Sequence, residues 1–375
     1  MGKLKHRTFN ADRFLDKFQG QEVILRSFVG LWDGRLGLDT TSLDVPHFKE
    51  YLVNGDGDGK DDLLESLYMA YDLCTERGYE DLVSACNECS YSPDGNGKLP
   101  VECLSLKVRT ENEDAFTLAY DRYNLWRAER FTIFSGKSAA GIVDAGAASS
   151  AFQAKLAEIF KDHKNSDRVL VRHYQEGAYT NFIVYHEKRV KAELIFKGTR
   201  MRPKVTPTIL RPAQQDFISY NNETGQLEIE AGFEKEETAL RKAFAECCLK
   251  DEDFFDSPGS SDCLNLARIA ADDFDMPVDE DHSASLAELH FNIKQTHGPS
   301  FVVRSKNVME TLEKNYLRKR LPGGTIRRAV FKIMFPDDRR GKRIELSGTN
   351  KIKFKRATHA EDVFRYLKNW GIVVD

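Results

Sequence analysis

The sequence predicts an α+β protein: two main domains of mixed helices and antiparallel β-meanders, followed by a basic, β-rich C-terminal module. Three observations predict it. Several stretches repeat apolar residues at helical spacing, and others alternate apolar and polar residues between Gly, Asn and Asp turns. The two patterns do not follow one another in the strict order that a parallel βαβ sheet requires. Of the 375 residues 41% are hydrophobic and the formal net charge is −4, an ordinary balance for a chain with buried cores that excludes collagen, coiled-coil and disordered classes.

Residues 1–135 form the first expected domain. The spacing predicts a short helix over 12–18, a strand over 22–29, and a helix over 61–74 that puts Leu64, Leu67, Tyr68, Tyr71 and Cys74 on one face. A second helix, 79–89, gathers Leu82, Cys86 and Cys89. Strands are expected over 99–108 and 131–134, with a helix through Tyr120, Tyr123 and Trp126 between them. Between 136 and 150 the composition narrows to Gly, Ala and Ser, which reads as a linker or loop.

The second domain, 151–299, opens with a helix over 151–160. Strands follow at 169–174, 180–185, 190–196, 217–220 and 227–229, and a helix over 236–249 completes it. The charge then separates into blocks. Residues 161–211 carry 12 Lys/Arg against 5 Asp/Glu, whereas 216–288 carry 20 acids and 5 bases. An acidic surface of that kind suits either a protein partner or an internal mask over basic segments.

The third part, 300–375, holds 19 Lys/Arg against 8 Asp/Glu. A helix is expected from a Ser305 cap through Tyr316, then strands over 326–335, 342–347 and 351–355, then a closing helix that starts at a Thr358/Glu361 capping box and stops at Gly371. In the last strand Ile352 and Phe354 face one way while Lys351, Lys353 and Lys355 face the other, about 6.6 Å apart along the chain. Cations at that spacing follow a phosphate backbone. The residues expected to contact nucleic acid are therefore Arg327, Arg328, Lys332, Arg339, Arg340, Lys342, Arg343, Lys351, Lys353, Lys355 and Arg356. The expected function is a cytoplasmic nucleic-acid-binding or adaptor protein, of a kind that suits a bacterial nucleic-acid-processing or phage-defence complex, with DNA or RNA as partner, a protein partner plausible and no cofactor.

Other motifs compete with that reading. Asn54, Asp56, Asp58 and Glu65 match the ligand spacing of an EF-hand calcium loop, but Asp61 stands where that loop has an apolar residue, and a capped turn explains the stretch. Ser135-Gly136-Lys137-Ser138 resembles the end of a phosphate-binding loop, yet Phe131 stands where its first glycine belongs. Cys74, Cys86, Cys89 and Cys103 include a Cys-x-x-Cys pair, but they share apolar helical stripes and read as buried thiols, as do Cys247 and Cys248. Seven cysteines without disulfide-like regularity fit a reducing compartment. Neither a membrane-length apolar run nor the apolar core of a signal peptide is present.

For catalysis, no complete nucleophile elbow or His-Glu-x-x-His helix occurs. His173, Glu176, His186 and Glu187 lie near strand ends, His282, His290 and His297 cluster in sequence, and Glu102, Lys107, Glu193 and Lys197 form the remaining candidate set for a metal-dependent nuclease. That enzyme, and a protein–protein scaffold acting through the acidic residues 216–290, are the alternatives to nucleic-acid binding.

Overall fold

The computed structural model describes residues 8–93, 99–164, 166–197, 204–293, 298–321, 323–356 and 358–374. It has helices and one long antiparallel sheet, an α+β protein. The chain divides into two compact units at Arg127/Ala128, so the strand at 130–135 belongs with everything after it.

The first unit is helical throughout its described part: α1 (Ala11–Leu15), α2 (Glu22–Val29), α3 (Val45–Asn54), α4 (Lys60–Asp72), α5 (Glu76–Glu88), α6 (Val101–Glu111) and α7 (Glu113–Arg127). Two segments expected as strands are helices here. In α2 the β-branched Val23 and Ile24 suggested a strand, but the buried residues are Leu25, Phe28 and Val29, which recur at helical spacing. In α6, Cys103, Leu104, Ser105, Leu106 and Val108 are all buried. A helix buried on nearly every side loses the one-sided pattern that distinguishes it from a strand.

The second unit is built on a ten-stranded antiparallel sheet with strand order β2-β3-β6-β7-β1-β12-β11-β10-β8-β9. Its strands are β1 (Arg130–Ser135), β2 (Val169–Glu176), β3 (Tyr179–Glu187), β6 (Ala213–Asn221), β7 (Gln226–Glu230), β8 (Ser283–Ile293), β9 (Ser300–Arg304), β10 (Gly324–Phe335), β11 (Asp338–Ser347) and β12 (Lys351–Lys353). A separate hairpin joins β4 (Lys191–Lys197) and β5 (Lys204–Leu210). The strand at 130–135 is the seam of the sheet. It pairs with β7 on one side and with β12 on the other, so the middle of the chain and the basic tail share one sheet. The tail is thus not a module with a sheet of its own.

Two helices cover one face of the first five strands. The first, α8 (Ala145–Lys164), begins inside the segment expected as a linker, because Asp144 accepts a hydrogen bond from the Ala147 amide at 2.9 Å and the alanines that follow favour helix. The second is α9 (Glu234–Leu249). Between helices and sheet lie Phe152, Leu156, Phe182, Val184, Ile218, Tyr220, Leu227, Ile229, Leu240 and Phe244.

The opposite face of the other strands is covered by α11 (Ala360–Asn369), whose Trp370 ring sits 5.3 Å from Phe331 and whose Phe364 lies 5.7 Å from Phe354. Gly371 ends α11 at φ +69°, as expected, but His359 rather than Thr358 precedes its first turn. Likewise α10 (Val308–Lys314) is capped by Asn307, not Ser305. Among the described residues no helix is long and apolar enough to cross a membrane.

Candidate polyanion-binding face

Strand register decides which cations gather. Thr132 of β1 pairs with Ile229, which lies beneath α8 and α9, and with Lys351 of β12. Paired residues share a face, so Lys351 emerges on the side of the sheet that α8 and α9 cover further along. The register continues the same face outward: Arg130 pairs with Lys353, Lys353 with Glu345, Arg343 with Lys332, Arg328 with His290, and Glu288 with Arg304. Two bulges between β10 and β8 keep the alternation in step along the longest pairing.

The result is a solvent-facing patch across six strands, about 24 Å wide at ordinary strand spacing. Arg130, Arg304, Arg328, Lys332, Arg343, Lys351 and Lys353 stand on it, with Glu288 and Glu345 the acids among its described strand residues. Arg304 and Arg343 are 67% and 59% exposed, while Glu288 beneath them is 5% exposed. Arg130, Lys332, Lys351 and Lys353 make no ion pair with the described residues.

Glu288 organises the centre. It accepts from Arg304 Nε at 2.9 Å and Arg343 Nη2 at 3.1 Å, contacts His290 Nε2 at 2.6 Å, and lies 3.7 Å from Arg328. Burial by itself raises the pKa of this carboxyl. The hydrogen bonds from Arg304 and His290 and the charges of Arg328 and Arg304 outweigh burial and hold the group at about 2. Arg328 also bonds Glu345 at 2.9 Å. One carboxylate thus holds several arginines in place, and two of them, Arg304 and Arg343, stay more than half exposed.

Five of the eleven residues expected to bind nucleic acid share this face: Arg328, Lys332, Arg343, Lys351 and Lys353. Arg356 does not. Its side chain is 11% exposed, bonded to Glu228 on the opposite face and stacked over Phe131 at 3.7 Å, with Phe354 and Phe364 nearby. Lys342 also points away: it pairs with buried Ile333, donates to Thr358 Oγ1 at 2.5 Å, and burial lowers its pKa.

Lys355 is exposed but lies beyond the end of β12, Arg340 is exposed at the irregularity of β11 between the paired residues Asp338 and Lys342, and the Arg339 side chain lies outside the described residues. Arg327, in a bulge, reaches Asn292 at 2.9 and 3.1 Å when the amide oxygen faces it, and lines a cleft of about 950 Å³ with Leu264, Leu266 and Leu321. Arg130 and Arg304 were missed. Arg130 is more than two hundred residues from its strand partner, and no local pattern in the sequence connects them.

The acidic stretch serves the basic tail in single contacts rather than as a mask. Glu228 holds Arg356, Glu288 the arginine cluster, and Asp279 accepts from Arg365 at 2.8 Å. No protein-family model matches the chain, and no curated protein is significantly similar to it.

The competing motifs resolve as follows. In the EF-hand-like stretch α3 ends at Asn54 and α4 begins at Lys60, so the second half of the loop is helical, and Lys60 Nζ donates to the Gly55 carbonyl at 2.7 Å. Lys137 of the phosphate-loop-like segment pairs with Asp251 at 2.7 Å. All seven cysteines are free, and burial pushes Cys86 up to about 11 and Cys248 up to about 12, disfavouring the thiolate a metal needs.

Glu102 and Lys107 lie on helix α6, not on a strand beside Glu193, and belong to a different compact unit from it. Glu193 pairs with Lys191 and the side chain of Lys197 lies outside the described residues. His282 contacts Tyr366 at 2.5 Å, His290 joins Glu288, and His297 lies outside the described residues. His173 and Glu176 are exposed on β2, whereas His186 is buried, so this set does not converge either.

Proposed function

We propose that this protein binds nucleic acid through the phosphate backbone, using the exposed face of β1, β12, β11, β10, β8 and β9. One observation carries the reading: seven cations from five of six adjacent strands share a solvent-facing sheet surface on which the described strand residues include two acids, and the more buried acid is held under arginines. A flat array of this kind suits a polymer of negative charge better than a small anion, since no pocket closes around it. Apart from the His290 imidazole, which is held by Glu288, the solvent-facing described strand residues on the face include no aromatic ring, which favours phosphate contacts over base stacking and hence weak sequence preference.

Binding of labelled duplex and single-stranded DNA and RNA, measured against salt, tests this. Four to seven phosphate contacts imply a slope of log K against log salt of roughly −4 to −6 on duplex DNA. Lys351→Glu with Lys353→Glu is expected to flatten the slope by about two and weaken binding at least ten-fold. A flat salt response in the wild type, or an unchanged slope in the double variant, would refute the proposal.

A further inference from the structure

A second group of donors lies away from the basic face, at one end of the layer between α9 and the sheet. The β3–β6 register sets His186 opposite Gln214 and Val184 opposite Asp216. Val184 belongs to the core beneath the helices, so His186, Gln214 and Asp216 point the same way, toward the first turn of α9 where Glu236 stands. All four are buried, at 2% exposure for His186, 6% for Gln214, 1% for Asp216 and 7% for Glu236.

Their contacts interlock. His186 Nε2 is 2.8 Å from Asp216 Oδ2, and Gln214 Nε2 donates to Asp216 Oδ1 and to Glu236 Oε2, both at 2.7 Å. One donor atom from each of His186, Asp216 and Glu236 lies within 4.8 Å of the others, and no other trio among the described residues converges in this way.

We propose that His186, Asp216, Glu236 and Gln214 form a closed, structural site for one divalent transition ion, zinc or manganese. Two independent features support a ligand there beyond the clustering of acids. Gln214 Oε1 is buried without a hydrogen-bond partner while Nε2 of the same amide faces both carboxylates, so turning the amide over brings a fourth oxygen donor to them. A Cβ at position 232 would stand 2.6 Å from Nε2 and 3.0 Å from Oε1, so the glycine there leaves the amide its room.

The second feature is the histidine. Its ring lies 4.5 Å from Phe160 at the end of α8, and Nδ1 is 3.4 Å from the Glu187 carbonyl. A proton on Nδ1 directed at that carbonyl leaves the Nε2 lone pair for a metal, a common arrangement around ligating imidazoles. The ion then takes the place of the proton shared between His186 and Asp216.

The donor chemistry selects the ion class. One imidazole with two carboxylates and an amide oxygen suits zinc or manganese, whereas calcium takes six to eight oxygens. Bonds of about 2.0–2.2 Å to four such donors require them to stand roughly 3.4 Å apart, so the 2.8 Å His186–Asp216 contact opens while the wider separations in the trio, now up to 4.8 Å, close. No donor position is left for substrate, so the ion would pin the start of α9 to β3 and β6 rather than act on a reactant.

The test starts from the full chain stripped with chelator and dialysed, then titrated separately with zinc chloride and manganese chloride. The expected result is one equivalent of either ion bound and a higher melting temperature. X-ray absorption of the zinc form is expected to show nitrogen and oxygen neighbours at about 2.0–2.2 Å and no sulfur. Asp216→Asn and Glu236→Gln keep the shape and are expected to lose stoichiometric binding while circular dichroism stays native-like, and Gln214→Met to weaken it by about 10–100-fold. Absence of stoichiometric binding by the wild type, sulfur in the zinc coordination shell, or variants that bind as the wild type does would overturn the site. The wild-type stoichiometry and absorption spectrum decide the matter even where a variant fails to fold.

Discussion

Replacing Glu288 with Gln separates the stability of the basic face from its affinity. The carboxyl sits at about 2 in the folded protein against an ordinary 4.5, a difference that converts to at most ~3 kcal/mol of stabilisation near neutral pH. Arg304 and Arg343 are more than half exposed, and solvent screening reduces the amount to roughly 1.5–2 kcal/mol. Because the folded value is depressed, this contribution is present above pH 4.5 and fades as pH falls toward 2.

Urea unfolding at pH 7 and pH 3 measures it. The Gln variant is expected to be less stable than the wild type at pH 7, with the gap narrowing at pH 3. Binding is expected to move the other way: with one acid gone, Arg304 and Arg343 are released toward phosphate, so affinity for duplex DNA rises and the salt slope steepens by about one. Equal stability of the two proteins at pH 7, or a gap that does not change with pH, would refute the role given to Glu288.

Three further outcomes are expected. Arg356→Ala removes one partner of a buried pair with Glu228, so denaturant unfolding should show a loss of about 3–5 kcal/mol while the salt slope of nucleic-acid binding stays as in the wild type. Glu230 is raised to about 7, chiefly by burial and only partly countered by the Arg130 and Glu129 amides and Arg356. The folded protein therefore holds a proton there that the unfolded chain releases above about 4.5, and stability drops as pH rises from that value through 7. Glu230→Gln should abolish this drop, leaving the variant up to ~3 kcal/mol more stable than the wild type at pH 8 and similar to it at pH 4, as read from melts across that range. Phe331→Ala, in the core against Trp370, should cost about 3–5 kcal/mol in the same unfolding assay.

What the sequence determined by itself was local. The alternation of Lys351, Ile352, Lys353 and Phe354 puts cations outward and apolar side chains inward, and the structure buries Ile352 and Phe354 at 2% exposure each. The same reasoning found most strands of the second unit and the helices α4, α5, α7 and α9, because a half-buried element leaves its period in its own residues. It failed for α6, buried on nearly every side, and for β8 and β9, which lie in a stretch read for its charge rather than its alternation.

Tertiary structure decided which charges became neighbours. Arg356 and Lys353 are three residues apart and equally basic, yet the end of β12 turns one inward onto Glu228 and the other outward. Arg130 and Lys353, or His186, Asp216 and Glu236, come together only through strand register, which is set by pairing between distant segments and leaves no periodic trace in either one.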